Sequence, residues 1–318
     1  MTTRSGAASG GEIEDKLDLS IETKTKIDQA QSLVSASSDL TAALSILLVH
    51  EKKCRVGNDV QSLVKTIEAS LQFCKDCNDD EALISTLKTL STRRSQKAKA
   101  ITALLHKAMP WVLQSLDDHN PLTLNVGASS AQKQIRESIV VTLRDITNGK
   151  LFLEAERARL TRALAIIKEE DGYVAEAADI LQEVHVETYG SLSKREKVEF
   201  ILEQIRLTLA KKDFVRAAIV ANKINKKVLG EEGMEHEKIL YYELMLKYHQ
   251  HQTDAFQLAK DYHHIYSTVT TQGNEDDWKS ALTNAVTFLV LSAYSNEQQD
   301  MMNRLNLDPK LDKIPACK

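Results

Sequence analysis

No proline interrupts the chain between Leu122 and Asp308. The four prolines stand at Pro110, Pro121, Pro309 and Pro315. Inside a helix, proline costs about 3 kcal/mol through its missing N–H and its ring clash. So long a stretch without the strongest helix breaker suits helices stacked one after another. Glycines Gly149, Gly172, Gly190, Gly230 and Gly273 fall between helix-like segments, where a left-handed residue is wanted at a helix C-terminus. The expected class is all-α.

Helical periodicity supports that class. "LTAALSILLVHEKK", "DVQSLVKTIEASLQFC", "EALISTLKTLSTRR" and "QKAKAITALLHKAMPWVLQSL" carry apolar residues three and four apart. A motif of an apolar residue or Asp, a small or aliphatic pair, and a further small, aliphatic or aromatic residue recurs along the chain. It fits Leu40, Ala43, Leu44 and Leu47, then Asp80, Leu83, Ile84 and Leu87, then Val174, Ala177, Ala178 and Leu181. It returns at Phe214, Ala217, Ala218 and Ala221, and at Ala255, Leu258, Ala259 and Tyr262. Starts at 40, 80, 174, 214 and 255 differ by 40 or 41 except across one interruption. Small residues at the paired positions let helices approach closely. The expected fold is an α-solenoid of tetratricopeptide-like helix pairs forming a right-handed superhelical arm. Residues 1–20 read as a mobile tail, 21–250 as the arm with a long loop near 117–132, and 251–318 as a further helical segment.

The stretch "VETYGSLSKREKVEFILEQIRLTL", Val186 to Leu209, shows one corner of this scheme. Ser193 and Glu196 have capping-box spacing, and Val198, Ile201, Leu202, Ile205 and Leu209 share one helix face. Burying those five contributes roughly 1.5–3 kcal/mol each before the entropy cost. Arg195, Glu199, Glu203 and Arg206 lie away from that face. Tyr189 is expected to pack between adjacent repeats, whereas Glu187 and Thr188 have no forced role.

Chemistry-bearing patterns are sparse. The pair Cys74 and Cys77 lacks the strand-to-helix setting of a redox centre. With His50 and Cys54 it could supply four zinc ligands, but all four residues sit at ends of amphipathic helices, where cysteine serves as a small apolar residue. "HEKIL" at His236 lacks a second histidine, and His249, His251, His263 and His264 stand among aromatics, as packing or surface residues do. Glu169 and Glu170 read as solvated. Neither a phosphate-binding glycine motif nor a G-x-S-x-G is present. No catalytic, cofactor-binding or metal-ligating residue is assigned, no cofactor is expected, and an enzyme is disfavoured. The 41 basic and 45 acidic residues nearly cancel, which argues against nucleic acid as a partner. The longest apolar run, "TFLVLSAY", falls short of a membrane span. An intracellular, reducing location follows from the cysteine usage and the N-terminal composition.

Two basic groups are candidate contacts. Arg93, Arg94 and Lys97 in "STRRSQKAKA" suit either an acidic protein surface or a solvated corner. Arg157 and Arg159 in "LEAERARLTRAL" either support their own helix with nearby glutamates or lock a neighbouring repeat or a partner.

Three blocks carry a resemblance: "GKLFLEAERARLTRALAIIKEEDG" (Gly149–Gly172), "VETYGSLSKREKVEFILEQIRL" (Val186–Leu207) and "LSTRRSQ" (Leu90–Gln96). They resemble the family of the fifth non-ATPase subunit of the 26S proteasome regulatory-particle lid, over about residues 25–315. The "HNPLTLNVGASSAQ" segment looks like an insertion relative to that family. The resemblance implies a non-enzymatic scaffold whose helical arm leads into a PCI module, with residues 251–318 as the start of that module. It further implies a hetero-oligomer with other lid subunits, the ATPase base or the core particle, in cytoplasm and nucleus, serving ubiquitin-dependent degradation. The equivalent scaffold of the related signalosome and an RNA-associated translation-initiation PCI protein are the alternatives. The sequence ends at Lys318, where the family continues into a winged helix. The arm is expected to fold alone, without the family's main assembly surfaces.

Overall fold

The computed structural model describes residues 18–37, 39–113, 130–268, 273 and 275–314. The expected tail lies almost wholly outside the described residues, as does most of the expected loop near 117–132. All regular structure among the described residues is helical. The chain divides into two compact units, Met1–Ala163 and Leu164–Lys318.

The first unit contains α1 (Ser20–Ser37), α2 (Leu40–Val56), α3 (Val60–Asp76), α4 (Asp80–Thr92), α5 (Ala98–Val112) and α6 (Ser130–Thr147). It also holds the first part of α7 (Glu154–Glu170). Helices adjacent in sequence pack together, and α3 also meets α1 and α5 while α4 meets α6. Leu47, Leu63, Leu71, Leu87 and Leu105 are fully enclosed there. Pro110 is tolerated inside α5, two residues before its last residue. The second unit continues with α8 (Val174–Gln182), α9 (Lys194–Ala210), α10 (Phe214–Ala221) and α11 (Glu235–Gln252). After them come α12 (Ala255–Tyr266), α13 (Glu275–Leu291) and α14 (Asn296–Asn306). Here too neighbours in sequence pack together, and α9 touches α8, α10 and α11. Each unit is therefore built as the stacked helix pairs of an α-solenoid.

The repeat motif coincides with helix starts. Its five first residues, Leu40, Asp80, Val174, Phe214 and Ala255, are the first residues of α2, α4, α8, α10 and α12. The residue three positions on (Ala43, Leu83, Ala177, Ala217 or Leu258) is buried in every case, because that position faces the partner helix of the pair.

Five corners share one construction. Asn58, Asn78, Gly172, Lys212 and Thr253 each adopt a left-handed conformation, with φ between 51° and 87°. The next residue's N–H then donates to the carbonyl five positions back: Asp59 to Cys54, Asp79 to Cys74, Tyr173 to Lys168, Asp213 to Thr208 and Asp254 to His249, at 2.8–3.2 Å. This is the Schellman closure of a helix C-terminus. In four of the five, that same next residue is an aspartate whose carboxylate accepts from the N–H three residues on, at 2.8–3.1 Å. One residue thus closes a helix and caps the following one. Asp39 caps α2 in the same way, through Ala42.

Glycine does less of this work than expected. Gly149 and Gly172 are left-handed, but Gly190, Gly230 and Gly273 are not, and Gly233 is. Lys212 and Thr253 hold a conformation that costs a side-chain-bearing residue roughly 1–2 kcal/mol. The closure bonds on either side hold them there.

Substitutions at two residues probe the corners. Asp213→Ala lowers the unfolding free energy by about 1 kcal/mol in urea titrations, while Asp213→Asn retains most of it. Thr253→Asn raises stability by up to about 1 kcal/mol, because asparagine tolerates the left-handed region.

Candidate interaction surfaces

The "LSTRRSQ" block forms the corner between α4 and α5. Ser95 is left-handed there, with φ 60°, and the side chain of Gln96 reaches back across the unit. Its amide donates to the Leu90 carbonyl at 2.9 Å and to Glu51 Oε1 at 3.2 Å. Glu51, 1% exposed, also accepts from Arg55 Nε at 3.0 Å, and Arg55 Nη1 donates to the Arg94 carbonyl. The corner is therefore pinned to α2 through a buried carboxylate. Arg93 is half-buried, with an enclosed Nε. Arg94 points to solvent, and Lys97 is half-buried at the start of α5.

Arg157 and Arg159 are both half-buried on α7. Just before them, Glu156 pairs with His106 of α5, Nε2 to Oε1 2.9 Å. The Val186–Thr188 turn is a short 3-10 helix with Val186 fully buried, and Tyr189 beyond it is half-buried. Glu187, which had no forced role, meets Lys223 Nζ at 2.9 Å and His185 Nδ1 at 3.8 Å. Desolvation opposes ionisation of this carboxyl, but Lys223, the backbone N–H of Glu187 and His185 together outweigh it and hold the pKa below the usual carboxylate range. The structure brings Arg93, Arg94 and Lys97 to one corner. Arg157 and Arg159 share a helix elsewhere in the first unit, and Tyr189 belongs to the second.

The polar residues of α9 form the network that pattern reading missed. All five residues of the expected apolar face are buried, but so are Phe200, Gln204, Leu207 and Thr208. A helix enclosed on several sides has no free polar face, so its charges reach neighbouring helices. Arg206 grips Glu169 of α7 with both terminal nitrogens, Nη1 to Oε1 at 2.7 Å, and also pairs with Glu203. Those two carboxylates raise the guanidinium pKa further. Glu169 is thus a structural anchor, contrary to its expected solvated role. Arg195 pairs with Glu199 and, at 2.7 Å, with Glu237 of α11, which is 1% exposed. Gln204 donates to the carbonyls of Leu181 at 2.7 Å and Val184 at 3.1 Å. It thereby adds a side-chain donor at the end of α8, where the Leu181 carbonyl also accepts from Val184 N–H at 3.3 Å. One spacing could have signalled such pairs: Arg206–Glu169, Lys194–Glu231 and Lys260–Glu297 are each 37 residues apart, close to the repeat length.

The four possible zinc ligands separate into two groups. His50 Nε2 lies 2.7 Å from Thr23 Oγ1 and 3.3 Å from Cys54 Sγ. Cys74 packs instead against Thr86, 3.8 Å away. Burial raises both thiols, pushing Cys74 up to about 11. No group of three or more potential ligands with metal-holding geometry exists among the described residues. No described helix is long and apolar enough to cross a membrane. The histidines near aromatics take part in ring packing: His251 stacks on Phe214 and His264 on Tyr242, with centroids 3.5 and 4.4 Å apart.

Two outcomes follow from these placements. Gln204→Ala costs about 1–3 kcal/mol by removing the buried side-chain donor that the Leu181 and Val184 carbonyls share. Gln204→Glu costs more, since a carboxylate cannot donate to them, and chemical denaturation compares the two. For His50, desolvation depresses the pKa below 6.5 despite the attraction of Glu22. The folded state therefore binds that proton less well than the unfolded chain. The associated stability is complete above pH 6.5 and declines as pH falls through that value. Melting between pH 7 and 5 shows this decline, and His50→Gln makes the slope shallower.

Comparison with known proteins places this arrangement. The chain is 35% identical over 298 residues to 26S proteasome non-ATPase regulatory subunit 12 of Dictyostelium discoideum, covering 90% of this chain and 63% of that protein. It is 34% identical to the subunit 12 homolog B of Arabidopsis thaliana, covering 89% and 66%. It is 36% identical to the regulatory subunit RPN5 of Saccharomyces cerevisiae, covering 88% and 60%. The chain thus spans under two thirds of the length of these relatives. A family described as PSMD12/CSN4, N-terminal, matches residues 42–274. With most of the sequence inside that match, the chain belongs to the PSMD12/CSN4 N-terminal family.

Proposed function

We propose that this chain is a non-catalytic scaffold of the 26S proteasome lid that supports assembly and ubiquitin-dependent protein degradation. The observation that carries the reading is the sustained identity, 34–36% across nearly nine-tenths of the chain, to proteins named as proteasome regulatory subunits. The polar side chains of the second unit support it, because they are spent on joining helices instead of converging on a reacting centre. In this reading residues 21–250 form the repeat arm and 251–318 begin a PCI module. Its partners are other lid subunits, with the ATPase base or core particle beyond them, in cytoplasm and nucleus. Nucleic acid and membrane are not among them.

Arg94 and Lys97 at the α4–α5 corner, with Arg157 on α7, are the residues best placed to meet an acidic partner surface. Arg93, Arg159 and Tyr189 serve contacts within the fold. The test is affinity retrieval of the endogenously tagged protein at low salt, followed by identification of what comes with it. Stoichiometric recovery of lid subunits is expected. Recovery of signalosome subunits or of translation factors with RNA, without the lid, contradicts the reading. Charge reversal at Arg94 and Lys97 lowers lid recovery severalfold while leaving thermal stability of the purified chain unchanged.

A further inference from the structure

A groove of about 700 Å³ opens in the second unit between α9, the α9–α10 corner and α11. Its apolar lining comes from Leu209, Phe214 and Leu244, and its rim carries Lys212, Lys247 and His251. No carboxylate lines it. Arg206 stands at one end but is already held by Glu169 and Glu203. The two lysines carry no such pair. Lys194, Lys211, Lys223 and Lys260 of the same unit each sit on a carboxylate at 2.7–2.9 Å. The ammonium groups of Lys212 and Lys247, like that of Lys227, are exposed without a hydrogen-bond or ion-pair partner among the described residues, and these two flank the apolar groove.

Backbone conformation singles out Lys212 a second time. It occupies the left-handed corner position filled by Asn58, Asn78 or Gly172 elsewhere, at φ 64°. The other such exception, Thr253, uses its hydroxyl on a neighbouring carbonyl, whereas the Lys212 ammonium has no polar partner among the described residues. The backbone strain is held by the helix closure, while the lysine side chain itself adds nothing to that corner.

We propose that this groove docks a short acidic segment of a partner protein, with one apolar side chain seated on Leu209, Phe214 and Leu244 and flanking carboxylates on Lys212 and Lys247. The volume lies within the range of about 300–1,000 Å³ typical of pockets that enclose a small ligand. Charge complementarity selects an acidic occupant. A single-stranded nucleic acid fits less well, because the floor is mainly aliphatic and the Phe214 ring is already stacked face to face with His251 at 3.5 Å. The proposal does not depend on the lid assignment, since purified protein alone suffices to test it.

The assay is fluorescence anisotropy of the full chain with a labelled peptide of alternating Glu and Asp around one central leucine. Saturable binding that weakens as salt rises is expected. Lys212→Asn combined with Lys247→Gln weakens it at least tenfold, and changing the peptide's leucine to serine weakens it at least fivefold. Lys212→Asn also relieves the corner, so the melting temperature of the variant does not fall and lost binding cannot be ascribed to misfolding. Absence of saturable binding, an affinity unchanged in the double variant, or equal competition by an RNA oligomer of the same charge overturns the proposal.

Discussion

Four helix pairs, α2–α3, α3–α4, α9–α10 and α11–α12, depend on a corner in which one left-handed residue and the aspartate after it finish one helix and begin the next. The Schellman bond draws the chain back over the last turn of the first helix. The aspartate that makes this bond through its N–H then caps the second helix through its carboxylate. Because both tasks fall on one residue, the entry angle of the second helix is set by the exit of the first. The small or aliphatic residue three positions into that second helix is then buried against the first, as Ala217 and Leu258 are. The residues at 79 and 213 are thus the hinges on which the packing rests.

Packing of this kind leaves a central helix such as α9 without a polar side of its own. Its charged and amide groups find partners one helix away: Arg206 on α7, Arg195 on α11, Gln204 at the end of α8. Such contacts supply registry between pairs, and they consume most of the charged chemistry near the core. The lysines left over at the α9–α11 groove gain significance from that background. A scaffold needs rigid geometry and a few unspent contacts at its surface, and this unit supplies both.

Much of the fold was legible in the sequence because helix period, motif phase and capping chemistry are local. Leu40, Asp80, Val174, Phe214 and Ala255 marked true helix starts, and Ser193 with Glu196 makes the full capping box. The corners were read less well. A left-handed residue was expected to be glycine, yet Lys212 and Thr253 are forced into that region by bonds formed between groups five residues apart. Partners distant in sequence were also lost. Glu169 looked solvated because Arg206 lies 37 residues away, and Glu187 looked idle until Lys223 was placed beside it. The basic corner at Arg93, Arg94 and Lys97 was visible as charge, but its anchoring by Gln96 on Glu51 was not. Family resemblance supplied the functional reading, which periodicity could not.

Native-state hydrogen exchange at the corners tests the structural account most directly. The backbone N–H groups of Asp79 and Asp213, bonded to the Cys74 and Thr208 carbonyls, are predicted to exchange as slowly as amides within the flanking helices, because corner and helices open as one unit. Exchange at those two amides at the rate of exposed loops, with the helices still protected, would contradict the claim that the corners hold the pairs together.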